Sequence, residues 1–134
     1  MVTAEDSAAA ALAGELFEAL GRIEARRMFG GMGLYLGGIM FGLIDDGRIY
    51  LKVDEALKAD LRAAGAESWI YVERKGPKAG VPQETSYWSL PESACDDPEE
   101  AAAWAGRALA VAAAIRAAAP PRRKRGGGQK APRR

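Results

Sequence analysis

Residues 33 to 53 read GLYLGGIMFGLIDDGRIYLKV. Three short apolar runs, GLYL, IMFGLI and RIYLKV, are separated by Gly37-Gly38 and by Asp45-Asp46-Gly47. Such separators tolerate the positive φ that tight hairpin turns demand, and the apolar period is 2 where a helix needs 3.6. The stretch is therefore an antiparallel meander of three strands. In the last strand Ile49, Leu51 and Val53 alternate with Arg48, Tyr50 and Lys52, so one face is dry and the other wet. Leu34 and Leu36 take the buried face of the first strand and Tyr35 the open one. The middle strand, with Ile39, Met40, Phe41, Leu43 and Ile44, is apolar on both faces and belongs inside the sheet.

Upstream, SAAAALAGELFEALG carries Leu12, Leu16, Leu20 and Ile23 at helical steps, with Phe17 beside them and Gly21 as the stop. Downstream, Asp54 is an N-cap for a helix bearing Leu57 and Leu61 and closed by Gly65. SWIYVE (68–73) and TSYWSL (85–90) read as two further strands, joined by the long loop RKGPKAGVPQE. Asp97, Pro98, Glu99 and Glu100 then open a helix whose face is Trp104, Ala108, Val111 and Ile115, and Pro120-Pro121 ends it. The expectation is an α+β domain: an antiparallel sheet of about five strands with three packed helices, in the order α-β-β-β-α-β-β-α.

A chain of 134 residues and 14.2 kDa, with 49% hydrophobic and 28% charged residues, fits one folded domain. The net charge of +1 conceals a division. Residues 120–134, PPRRKRGGGQKAPRR, hold seven of the nineteen basic residues and none of the eighteen acidic ones. Residues 1–119 are left with twelve against eighteen, a net of −6. A Pro/Gly/Arg segment has little apolar surface to bury, so it reads as a disordered basic tail following a domain of residues 1–119. Arg122, Arg123, Lys124, Arg125, Lys130, Arg133 and Arg134 are its candidate contacts to nucleic acid; a solvated solubility tail is the other reading. One cysteine, Cys95, fits a reducing compartment, and no apolar run reaches the roughly 18 residues of a membrane span. The expected location is the cytoplasm, with no membrane partner.

RRMFGGMGLYLGG (26–38) holds five of the chain's sixteen glycines and invites comparison with a phosphate loop. A dinucleotide fingerprint needs its glycines between a strand and a helix; here a strand follows, and Leu36 breaks the GxGxxG spacing. Glycines that let the chain bend or bulge into a sheet are the better account. The chain has no histidine, hence neither the commonest general base nor the commonest metal ligand, and a single cysteine cannot build a zinc site. Asp45-Asp46 and Asp96-Asp97 are explained by a turn and a cap. Cys95 reads as a small packing residue near a helix start. Catalytic, cofactor and metal residues are accordingly expected to be none. Arg22, Arg26 and Arg27 precede the sheet while Arg74, Lys75 and Lys78 occupy the long loop, and strand pairing could join them in one patch with Tyr71, Tyr87 and Trp88.

RRMFGGMGLYLGGIMFGLIDDGRIYLKVDE, followed by WIYVERKG and SYWSLPESACDDPEEAAAWAGRAL, resembles the N-terminal domain of the TfoX/Sxy family of bacterial competence regulators, over roughly residues 8–118. The resemblance implies an α+β fold, a cytoplasmic location, and no catalytic activity or cofactor. For proteins with both family domains it implies a coactivator role beside the cyclic-AMP receptor protein; here a basic arm stands where the second, helical domain would follow. Arg26, Arg27, Met28, Phe29, Gly30 and Gly31, with Glu73, Arg74, Lys75 and Gly76, fall on or beside its motif positions and are the candidate interaction residues. The expected function is a non-catalytic regulatory or adaptor module, stand-alone in form. It would bind a protein associated with transcription factors or polymerase, and its tail would assist nucleic-acid contact. A homodimer through exposed sheet aromatics is a further partner reading. The alternative is a small enzyme or ligand-binding protein holding a phosphorylated small molecule with Arg27, Arg74 and Lys75.

Overall fold

A computed structural model of the chain describes residues 3–28 and 31–119. Helix α1 (Ala4–Leu16) leads into strands β1 (Glu24–Met28), β2 (Gly31–Leu36), β3 (Ile39–Asp45) and β4 (Arg48–Lys52). Helix α2 (Glu55–Ala63), strands β5 (Ser68–Val72) and β6 (Pro82–Ser89), and helix α3 (Pro98–Ala118) follow. All six strands join one antiparallel sheet in the order β1-β2-β3-β4-β6-β5. The expected α+β fold is present with six strands where about five were read. The added strand, β1, is EARRM; it is exposed except for half-buried Met28 and so lacks the alternation by which a strand is recognised. It pairs with β2, Arg26 opposite Gly33 and Met28 opposite Gly31, so the glycine-rich stretch belongs to a hairpin. Phe29 and Gly30 lie outside the described residues, as do residues 120–134.

The helices share one face of the sheet. Ala9, Ala13 and Leu16 of α1, Leu57 and Leu61 of α2, and the alanines of α3 enter one core with Leu34, Phe41, Ile44, Ile49, Leu51 and Trp88. A register shift at Leu34/Tyr35 sets Gly42 opposite Leu34 and Met40 opposite Tyr35, leaving Phe41 as the extra residue of a bulge. Phe41 turns fully into the core, where its ring meets that of Phe17 edge-on at 5.9 Å. Phe17 is also the C-cap of α1, and a 3-10 turn, Glu18–Leu20, carries the chain on to Gly21 at φ 134°.

The buried stripe of α3 is Ala101, Ala105, Ala108 and Ala112, while Trp104 and Val111 are half-buried and Ile115 is 49% exposed. The expected face was displaced because methyl side chains let the helix axis lie close to β3 and β4, where larger ones would hold it off. By length and composition alone α3 is apolar enough to cross a membrane, with a mean hydropathy of 1.2, contrary to the sequence reading; in the fold its alanines pack on the sheet. Both Asp N-caps stand as expected: Asp54 accepts from the Leu57 N–H at 2.9 Å, and Asp97 from those of Glu99 and Glu100 at 3.1 and 3.2 Å. β6 starts at Pro82, earlier than the expected Thr85, which shortens the loop between the last two strands. Cys95 is exposed rather than packed; its Sγ donates to the Pro91 carbonyl at 3.7 Å.

Candidate interaction surface

On the sheet face opposite the helices, alternation along β2, β4, β5 and β6 brings out Tyr35, Tyr50, Trp69, Tyr71 and Tyr87. Trp69 is the centre of the group, with ring centroids 6.4 Å from Tyr50, 5.8 Å from Tyr71 and 6.3 Å from Tyr87, all tilted or edge-on. Its indole N–H donates to Asp45 Oδ2 at 3.1 Å, which fixes the ring. Tyr50 is only 8% exposed beneath this group, whereas Tyr71 at 43% is the most open member. Burial raises the phenol pKa of Tyr50, and that of Tyr87 with a further push from neighbouring Tyr35.

Cations sit over the rings. The Arg26 guanidinium lies 4.7 Å from the Tyr35 centroid, Lys52 Nζ 5.0 Å from that of Tyr87, and the Arg48 guanidinium 5.8 Å from that of Tyr50. Two of these cations also meet exposed carboxylates, Arg26 with Glu24 at 2.9 Å and Arg48 with Glu67 at 3.0 Å. Lys52 hydrogen-bonds the Ser86 hydroxyl at 2.7 Å. Exposed pairs of this kind contribute at most about 1 kcal/mol, so the surface is held mainly by aromatic packing.

The residues singled out from sequence are not gathered in one place. Arg26, Arg27 and Met28 stand on β1, and Gly31 begins β2; Glu73, Arg74, Lys75 and Gly76 follow β5. β1 and β5 are the two edges of the sheet, with β2, β3, β4 and β6 between them. The joint basic patch expected from strand pairing is therefore not formed, and Arg27, Arg74 and Lys75 do not converge on a common ligand. Trp88, expected in that patch, is a core residue at 5% exposure. Each motif has a local task. Gly31 allows close approach of β2 to β3, because a Cβ there would collide with the Ile44 carbonyl. Glu73 anchors the turn after β5: its carbonyl accepts from the Gly80 N–H at 3.0 Å, its carboxylate accepts from the Gln83 amide at 3.2 Å, and Gly76 supplies φ 98°.

Trp69 and Asp45 were the functional candidates missed from sequence, although the period of SWIYV sets Trp69 and Tyr71 on one face. Tyr35 and Lys52 are half-buried on the open face as read, whereas Tyr50, expected to be wet, lies on the same side but is buried. Among the described residues no group of three or more Cys, Asp or Glu side chains could hold a metal ion.

The fold and this surface define a class: a one-sided α+β sheet domain, helices behind and an aromatic, cation-capped face in front. Residues 15–112 match the TfoX N-terminal domain, and the chain belongs to that family. A segment of 55 residues is 38% identical to the DNA transformation protein TfoX1 of Aliivibrio fischeri (strain ATCC 700601 / ES114). That match covers 41% of this chain and 26% of the relative, about a quarter of its length. The family is associated with competence and DNA transformation, and neither it nor this relative is named for a catalytic activity.

Proposed function

We propose that the chain is a non-catalytic regulatory or adaptor module of the cytoplasm that binds a transcription-related protein, with residues 120–134 assisting contact with nucleic acid. The observation that carries this reading is the open sheet face. Five aromatic side chains and three cations set over rings lie together there, with no helix over them among the described residues. Tyr, Trp and Arg are the side chains over-represented at the centres of protein interfaces, because they offer large contact area at small entropic cost. The reading as an enzyme or binder of phosphorylated small molecules loses its geometric support, since its three cations are split between opposite sheet edges.

The test is binding of the immobilised whole chain to purified RNA polymerase and to the cyclic-AMP receptor protein from the same cells. Saturable binding to either, weakened at least tenfold by Tyr71→Ala, is expected. A folded chain that binds neither would overturn the proposal.

A further inference from the structure

We infer that the rim of the open sheet face beside the C-terminal end of α3 is a binding site for single-stranded nucleic acid. This deepens the proposed nucleic-acid contact and rests on that reading. A groove of about 450 Å³ lies between Ala112, Ile115 and Arg116 of α3 and the open-face residues Tyr35, Met40 and Lys52. Among the described residues no carboxylate lines it, and two cations do. The contrast is with a groove of about 590 Å³ that includes Glu5, Glu67 and Glu92 against a single Arg48. On a body with a net charge of −6, an acid-free groove with two cations is where a polyanion meets least repulsion.

The groove opens onto a row of stacking groups. Tyr35 is paired with Met40 across β2 and β3, and Lys52 with Tyr87 across β4 and β6; Trp69 follows at 6.3 Å from Tyr87. From β2 to β5 the row spans four strand spacings, roughly 19 Å at about 4.8 Å each. Arg26 over Tyr35 and Lys52 over Tyr87 put positive charge at the ring faces. Arg116 Nη1 donates to the Gly38 carbonyl at 3.3 Å, which holds that guanidinium at the mouth of the groove. Lys52 has no carboxylate within salt-bridge distance among the described residues. Unpaired bases can stack on these rings when Arg26 and Lys52 swing off the ring faces to meet the phosphates; in a duplex the same base faces are already stacked.

The test is fluorescence anisotropy of the whole chain with labelled oligothymidine, the matching oligouridine and a DNA duplex of equal length, all at one salt concentration. Lys52→Glu combined with Arg116→Glu is expected to weaken single-strand binding roughly tenfold or more while changing duplex binding no more than about threefold. Unchanged single-strand affinity in a folded variant overturns the inference. If binding is then lost only on deleting residues 120–134, the tail's part in the proposed function stands without the groove. Should the variant fail to fold, photocrosslinking of the wild-type chain to thiothymidine-containing oligonucleotide decides. Adducts at peptides containing Tyr35 or Tyr87 support the site; adducts confined to residues 120–134 overturn it.

Discussion

Asp6 shows how much one side chain can organise. It is 1% exposed, closes a capping box with Thr3, and accepts from the Gly47 N–H at 2.7 Å, tying the start of α1 to the β3–β4 turn. Burial alone would raise its pKa, but the hydrogen bonds from Gly47 and Thr3 outweigh burial and hold the carboxyl below its ordinary value. A folded-state pKa below the unfolded one contributes stability that is complete above about pH 3.9 and is lost as pH falls through the depressed value. Asp6→Ala is thus expected to cost about 1–3 kcal/mol in urea denaturation at neutral pH, and the gap from wild type should shrink in acid below about pH 3.9. Gly31 makes a second point at this scale. Its substitution by Ala drives a Cβ into the Ile44 carbonyl, a backbone atom fixed by the ladder, and should destabilise by about 1–3 kcal/mol in the same assay. That glycine serves sheet packing.

Among the elements, α3 is governed by its smallest residues. Ala105, fully buried, should not accept a larger group: Ala105→Leu is expected to cost about 1–3 kcal/mol and lower the melting temperature. Ile115→Ser, at a position the apolar period had marked as core, should change stability by no more than about 0.5 kcal/mol. The two sheet edges differ in kind. β1 carries Glu24, Arg26 and Arg27, charges that discourage further strand pairing, while β5 carries none and exposes Ile70, Tyr71 and Val72 at 43–49%. Ile70→Lys should therefore raise the protein concentration at which light scattering first reports association, with the melting temperature little changed.

For the whole molecule, the separation of charge sets the response to salt. If the seven cations after residue 119 neutralise seven phosphates of a duplex, log affinity should fall against log salt with a slope of about −6. Residues 1–119, with a net charge of −6, should show almost none of that duplex binding in the same titration.

The sequence by itself determined the meander, both Asp caps, the fold class and which side of the sheet each β4 residue takes, because turn residues, caps and apolar periods act over a few neighbouring positions. Only the tertiary structure decided that β1 joins the sheet, since a charged edge strand is stabilised by the ladder rather than by its own pattern. It also decided that the two basic motifs stand at opposite edges and that α3 packs through alanine. Strand order and helix approach depend on which distant surfaces fit closest, and no local run of residues encodes that distance. The aromatic face lay between these cases: its side chains were legible strand by strand, but their assembly around Trp69 required β6 to enter between β4 and β5.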